Sequence, residues 1–143
     1  MKPTRLFLDT AFVQALLNRN DQYHVIAKSR LTELRTATEV WTTEAILIEI
    51  GNALSATHRE AAVRFINQCY ATPNTHVVSV DTALLKRALG LYDERADKGW
   101  GLTDCISFVV MADQNLVDAM TADRHFIQAG FRALMREPMS NSE

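Results

Sequence analysis

Apolar positions along this chain fall into two periods, short β-type runs and longer helical ones, and their alternation predicts an α/β fold. The first run, Leu6-Phe7-Leu8, sets three large apolar side chains in a row, as expected of a strand buried on both faces. It stops at Asp9, and Thr10 begins a helical pattern through Ala11, Phe12, Val13, Ala15, Leu16 and Leu17 that ends by Asn18. Asn20-Asp21 offers a cap for a second helix from Gln22 to Ala37, amphipathic on Val25, Ile26, Leu31 and Leu34. A short β-prone stretch, Glu39-Val40-Trp41-Thr42, gives the second strand. Thr42 or Thr43 caps an apolar helix from Ala45 through Ala53 and Leu54, and Thr57 and Glu60 have capping-box spacing for a helix carrying Val63, Phe65, Ile66 and Tyr70.

Beyond a turn at Pro73-Asn74, the pattern repeats. Val77-Val78-Ser79-Val80 reads as the third strand, and Asp81 is placed to cap a helix with Leu84, Leu85, Ala88, Leu89 and Tyr92. Gly99 and Gly101 interrupt the pattern around Trp100. From Thr103 a helix follows that is apolar nearly all round (Ile106, Phe108, Val109, Val110, Met111) and so must be buried. Leu116 to Met120 gives a fourth strand, Asp123 to Ala129 a short helix ended by Gly130, and Phe131 to Met135 a fifth, edge strand. Strands alternating with helices imply a central, mainly parallel sheet of four to five strands between helical layers.

Composition narrows the classes without choosing among them. At 143 residues, 48% apolar and 22% charged, the chain reads as one globular domain over 1–137 with a flexible tail over 138–143. No stretch of 18 apolar residues predicts a membrane span. Cys69 and Cys105 fall in helical patterns and are too few for a disulfide framework, so a cytoplasmic protein with buried thiols is expected. The net charge of −2 does not advertise nucleic-acid binding, but carboxylates that hold cations make a chain acidic on paper while the ions reverse the local field. Arg19, Lys28, Arg30 and Arg35 are either phosphate contacts or a solvated helix face.

Four acids sit where a solvated-face explanation is awkward. Asp9 ends the first strand, where an acid either caps the following helix or points into the crevice beyond the carboxyl ends of a parallel sheet. Glu49 interrupts an apolar helical face beside Ile46, Ile50 and Ala53. Asp104 lies in the first turn of the most hydrophobic helix, and Asp123 follows the fourth strand; each alone could be a helix N-terminal acid favoured by the macrodipole. Together they imply a shared site. Clustered carboxylates raise one another's pKa values unless a cation joins them, and an oxygen ligand set suits Mg²⁺ or Mn²⁺. Such ions act on phosphodiesters. No His/Cys cluster offers a zinc site.

These residues resemble the PIN-domain family, the metal-dependent nucleases that include VapC-like toxins. The resemblance rests on Leu6-Phe7-Leu8-Asp9-Thr10, on Glu49 in Ile48-Glu49-Ile50-Gly51-Asn52-Ala53-Leu54, on the segment from Asp97 through Gly99-Trp100-Gly101-Leu102-Thr103-Asp104 to Phe108, and on Thr121-Ala122-Asp123-Arg124-His125-Phe126 before Gly130. It implies a PIN-like three-layer α/β fold and an endoribonuclease whose acidic metal site is Asp9, Glu49, Asp104 and Asp123, with Mg²⁺ or Mn²⁺ as cofactor. Thr10 departs from the serine often found there in the family but keeps the hydroxyl, and Thr121 matches the family's hydroxyl residue near the last acid. Asn52 and Ser107, one turn beyond Glu49 and Asp104, are either supporting partners of the acids or ordinary helix polarity.

The role the resemblance implies is the toxin of a type II toxin–antitoxin pair, acting on RNA, held by a small antitoxin protein and forming a homodimer through apolar helix surface of the N-terminal half. A housekeeping RNA-processing nuclease has the same motifs. A non-catalytic acidic-pocket signalling module is the reading from another class, disfavoured because no acidic pair follows an early strand and no lysine follows Lys98. His125 and His24 read as packing or surface residues, Asp93 and Asp97 as an exposed face, and Trp100 as either a base-stacking residue or a hydrophobic plug.

Overall fold

The computed structural model describes residues 3–138. The strands are β1 (Arg5–Leu8), β2 (Glu39–Thr43), β3 (Thr75–Val78), β4 (Asp118–Met120) and β5 (Arg132–Ala133), in the spatial order β3-β2-β1-β4-β5. Every pairing is parallel. The helices are α1 (Thr10–Leu17), α2 (His24–Thr36), α3 (Glu44–Ala53), α4 (Arg59–Ala71), α5 (Thr82–Glu94), α6 (Leu102–Asp113) and α7 (Arg124–Gln128). The expected α/β fold, a parallel sheet flanked by helices, is what the chain forms.

Alternation along β1 divides the core. Leu6 and Leu8 share a face with Val40, and Leu8 and Val40 line a cavity with Leu34 of α2 and with Phe65 and Cys69 of α4. Phe7 points the other way, 6.3 Å from Phe126 of α7, whose ring meets Phe108 of α6 edge-on at 5.0 Å. Both faces of the central strand are therefore covered, which is why its sequence is uniformly apolar. Buried Trp100 packs edge-on against Phe108 at 5.0 Å, and its indole N–H donates to Gln128 of α7 at 3.0 Å. Trp100 is thus a plug that fixes α6 to α7, with no free face for a base.

Several expectations are corrected. The third strand begins two residues early, at Thr75, because Asn74 anchors its register: its carbonyl accepts from Val40 N and its side-chain amide donates to the Ala37 carbonyl. The fifth strand shrinks to Arg132–Ala133, since β4 offers only Asp118 and Ala119 as partners, and Leu134–Arg136 turns into a 3-10 helix. The Thr57–Glu60 capping box does not form; α4 starts at Arg59 with His58 in the cap position, and the Thr57 hydroxyl contacts His58 Nδ1 instead. Asp21 turns its loop by accepting from Tyr23 N and does not cap α2.

In α2 the apolar stripe is also misjudged. Val25 is 77% exposed while Arg30 is buried, pairing with Glu33 at 2.6 Å and donating to the Glu137 carbonyl, so Arg30 is not available to phosphate. His24 is tied down, its Nδ1 2.8 Å from the Ala15 carbonyl of α1. Exposed apolar side chains occur in both halves, including Ile48, Val63 and Tyr70 and the α5 stripe Leu85, Leu89 and Tyr92. The tail expected over 138–143 lies, from 139 onward, outside the described residues. No helix among the described residues is long and apolar enough to cross a membrane.

Candidate active site

In the order β3-β2-β1-β4-β5, the chain leaves β1 toward β2 on one side, while β4 adds on the other. The carboxyl ends of β1 and β4 therefore flank the topological switch point, where a parallel sheet opens a crevice. Asp9 follows β1 and Thr121 follows β4. Around them a crevice of about 300 Å³ is lined by Asp9, Thr10, Gln14, Glu49, Asp104, Asp123 and His125, with Ala11. A larger cavity of about 420 Å³ lies across the sheet under α2 and α4, is mostly apolar, and gathers no acids.

Asp9 is the deepest of these groups, 5% exposed. It occupies the N-cap position of α1, but its side chain makes no capping bond. Instead it accepts a hydrogen bond from the Thr121 hydroxyl at 2.7 Å, across the β1/β4 boundary. Thr121 is wholly buried and accepts in turn from the Asp123 backbone N–H at 3.0 Å. Asp123 caps α7 by accepting from His125 N at 2.9 Å. Asp104, in the first turn of α6, accepts from Gly101 N at 3.2 Å. Gly99, just ahead, has φ of +67°, a left-handed conformation that costs glycine nothing and lets the chain enter α6 there. Capping and clustering thus coexist: the bonds that start α6 and α7 also aim Asp104 and Asp123 into the crevice.

Glu49 arrives differently. It is an exposed residue at the margin of α3, whose buried face is Ile46, Leu47 and Ile50, so it does not interrupt a buried stripe as its sequence neighbours imply. The Thr10 hydroxyl donates to its Oε1 at 2.6 Å and brings it to the crevice rim. Asn52 is exposed and does not line the crevice, and the Ser107 hydroxyl is spent on the Thr103 carbonyl of its own helix at 3.1 Å.

His125, read from sequence as a packing or surface residue, belongs to this site. Its Nδ1 lies 2.9 Å from Asp104 Oδ2 and 3.5 Å from Asp123 Oδ1. Gln14, one turn along α1 from Thr10, also lines the crevice. The only sequence signal for His125 is its place two residues after Asp123 at a helix start, which many capped helices share.

The electrostatics reflect crowded carboxylates. Burial pushes the Asp9 carboxyl up to about 7, against the Thr121 hydrogen bond, and the charges of Asp104 and Asp123 add to the push. Asp104 is also raised, by burial first, with the His125 hydrogen bond opposing it and the Asp123 charge reinforcing it. Two carboxyls that resist ionisation, in a set of acids with no lysine or arginine partner among the described residues, make a site that a divalent cation would complete. The donor set of carboxylates with one imidazole fits that role: one ligand atom each from Asp104, Asp123 and His125 lie within 4.8 Å of one another.

Among solved structures, the chain is similar to the crystal structure of Mycobacterium tuberculosis VapC20, a sarcin–ricin loop cleaving toxin. The TM-score is 0.80 at 26% sequence identity, over 89% of this chain and 96% of that one. No family model matches the sequence, and no curated protein matches it at a significant level. The fold is PIN-like, shared with a VapC ribonuclease.

Proposed function

We propose that this protein is a metal-dependent endoribonuclease and the toxin of a type II toxin–antitoxin pair. The observation that carries this reading is the convergence of Asp9, Glu49, Asp104 and Asp123 on one crevice at the β1/β4 switch point, in a fold shared with an RNA-cleaving toxin. On this reading Asp9, Asp104 and Asp123 hold Mg²⁺ or Mn²⁺, with Glu49 completing the site from the rim. The bound ion supplies activation of a water and neutralises charge on the phosphodiester.

The protein's own groups do the rest. Thr121 fixes the rotamer of Asp9 and, through the Asp123 N–H, the approach of the second acid. Thr10 holds Glu49 at the rim of the crevice. An antitoxin segment carrying arginine or lysine would inhibit by pairing with the same carboxylates, and a second copy of the chain is the expected partner in a homodimer.

The test is cleavage of a sarcin–ricin loop RNA, the motif named for the similar toxin, by the parent protein and by Asp9→Asn and Asp104→Asn, with Mg²⁺, Mn²⁺ or EDTA. Cleavage by the parent alone, stopped by EDTA, is expected. Full activity in a clean, folded preparation of either variant overturns the reading. Growth arrest on induction, relieved by a small adjacent gene, separates a toxin from an RNA-processing nuclease.

A further inference from the structure

His125 is held in place twice. Its backbone N–H is bonded to Asp123 Oδ1 at 2.9 Å, which fixes the residue at the second position of α7. Its Nδ1 then faces two carboxylates at once, 2.9 Å from Asp104 Oδ2 and 3.5 Å from Asp123 Oδ1. A histidine that only oriented one acid would need to face only that acid. An octahedral ion with ligands at about 2.1 Å separates neighbouring donors by roughly 3 Å and opposite donors by roughly 4.2 Å. The two distances from His125 Nδ1, 2.9 and 3.5 Å, lie near the separation of neighbouring donors, and one ligand atom from each of the three residues lies within 4.8 Å of the others.

We infer that His125 is itself a metal ligand, giving its Nδ1 to the same ion that Asp104 and Asp123 hold. The inference rests on the metal-nuclease reading above and adds a nitrogen to its oxygen ligands. In this arrangement the imidazole proton sits on Nε2, and the Nδ1 lone pair replaces the hydrogen bond to Asp104 with a bond to the ion. The consequence is a metal preference. Nitrogen ligands suit first-row transition ions and are poorly matched to Mg²⁺; among those ions Mn²⁺ also suits carboxylates. The site therefore selects Mn²⁺ over Mg²⁺.

The measurement is pulsed electron paramagnetic resonance of Mn²⁺ bound to the full chain, reading ¹⁴N coupling from a directly bound imidazole. A Mg²⁺ competition titration then gives the Mn²⁺/Mg²⁺ affinity ratio. The parent is expected to show the coupling. His125→Ala should lose it, along with about 10-fold or more of Mn²⁺ affinity, while Mg²⁺ affinity changes less. His125→Gln, which keeps a polar side chain against Asp104, should lose the coupling too, and circular dichroism checks that both variants fold. Mn²⁺ bound without ¹⁴N coupling, or coupling that survives in folded His125→Ala, overturns the role of His125 and leaves the nuclease reading standing. A parent protein that binds neither ion and cleaves no RNA overturns both.

Discussion

The two ends of the sheet surround their acids differently. At the amino ends each acid has a basic partner on the neighbouring strand. Arg5 of β1 pairs with Glu39 of β2 at 3.2 Å, and Arg132 of β5 with Asp118 of β4 at 3.1 Å. Glu39 is accordingly held below its ordinary value, by the Trp41 indole hydrogen bond first and by Arg5 next. At the carboxyl ends Asp9, Glu49, Asp104 and Asp123 meet hydroxyls, backbone N–H groups and one histidine, with no lysine or arginine partner among the described residues. Asp9 is raised to about 7, not lowered. Acids already paired with arginine leave no charge to compensate, whereas acids left in excess are what a bound cation would compensate.

That contrast is breakable at several points. The largest effect is expected on catalysis: Asp9→Asn or Asp104→Asn should lower cleavage by at least ~1,000-fold, measured as initial rate on the RNA above, with the fold retained. Next comes an effect on stability of opposite sign. Folded Asp9 holds its proton to about pH 7, while the unfolded chain releases it near the ordinary 3.8. Folding therefore takes up a proton between those values, and the metal-free protein loses stability as pH rises from about 4 to 7. Asp9→Asn should flatten that fall and raise the metal-free Tm at pH 7.5 by about 5 °C. A thermal-melt series over pH in EDTA reads this, and a parallel fall in the variant would show that Asp9 is not its source.

Thr121→Val should act through Asp9, reducing cleavage by ~10–100-fold. It also removes the hydrogen bond that lowers the Asp9 carboxyl, so the pH dependence of metal-free stability should extend to higher pH. The smallest effect is expected at the other end of the sheet. Glu39→Gln breaks an ion pair about one-third exposed on each side, so it should leave the urea-melt midpoint nearly unchanged and cleavage untouched. A catalytic defect in that variant would collapse the distinction between the two ends.

Much of this was legible from the residue pattern, for reasons that differ by element. β1 and α6 are mostly buried, so their sequences are rich in apolar residues and could be placed to within a residue or two. Asp81 and Thr43 form the caps expected of them, because a cap is decided within four residues. β3 slid because a neighbour outside the local window, Ala37 against Asn74, helps set where that strand begins, whereas the Thr57 hydroxyl turned to the adjacent His58 instead of capping α4. Arg30 and Val25 exchanged expected places because an arginine that finds Glu33 and a backbone carbonyl can be buried, and periodicity cannot see the partner.

The sequence by itself determined the alternation of strands and helices, the ends of β1 and β4 at which acids would fall, and the chemical types gathered there. Those follow from local propensity and from hydrophobic period, which act over a few residues. Only the tertiary structure decided which acids are paired and which are left in excess. It turned Asp9 away from its cap toward Thr121, 112 residues on, and brought His125 against Asp104. Each of those outcomes depends on side-chain atoms from distant segments meeting within about 3 Å, the distance over which a hydrogen bond exists at all.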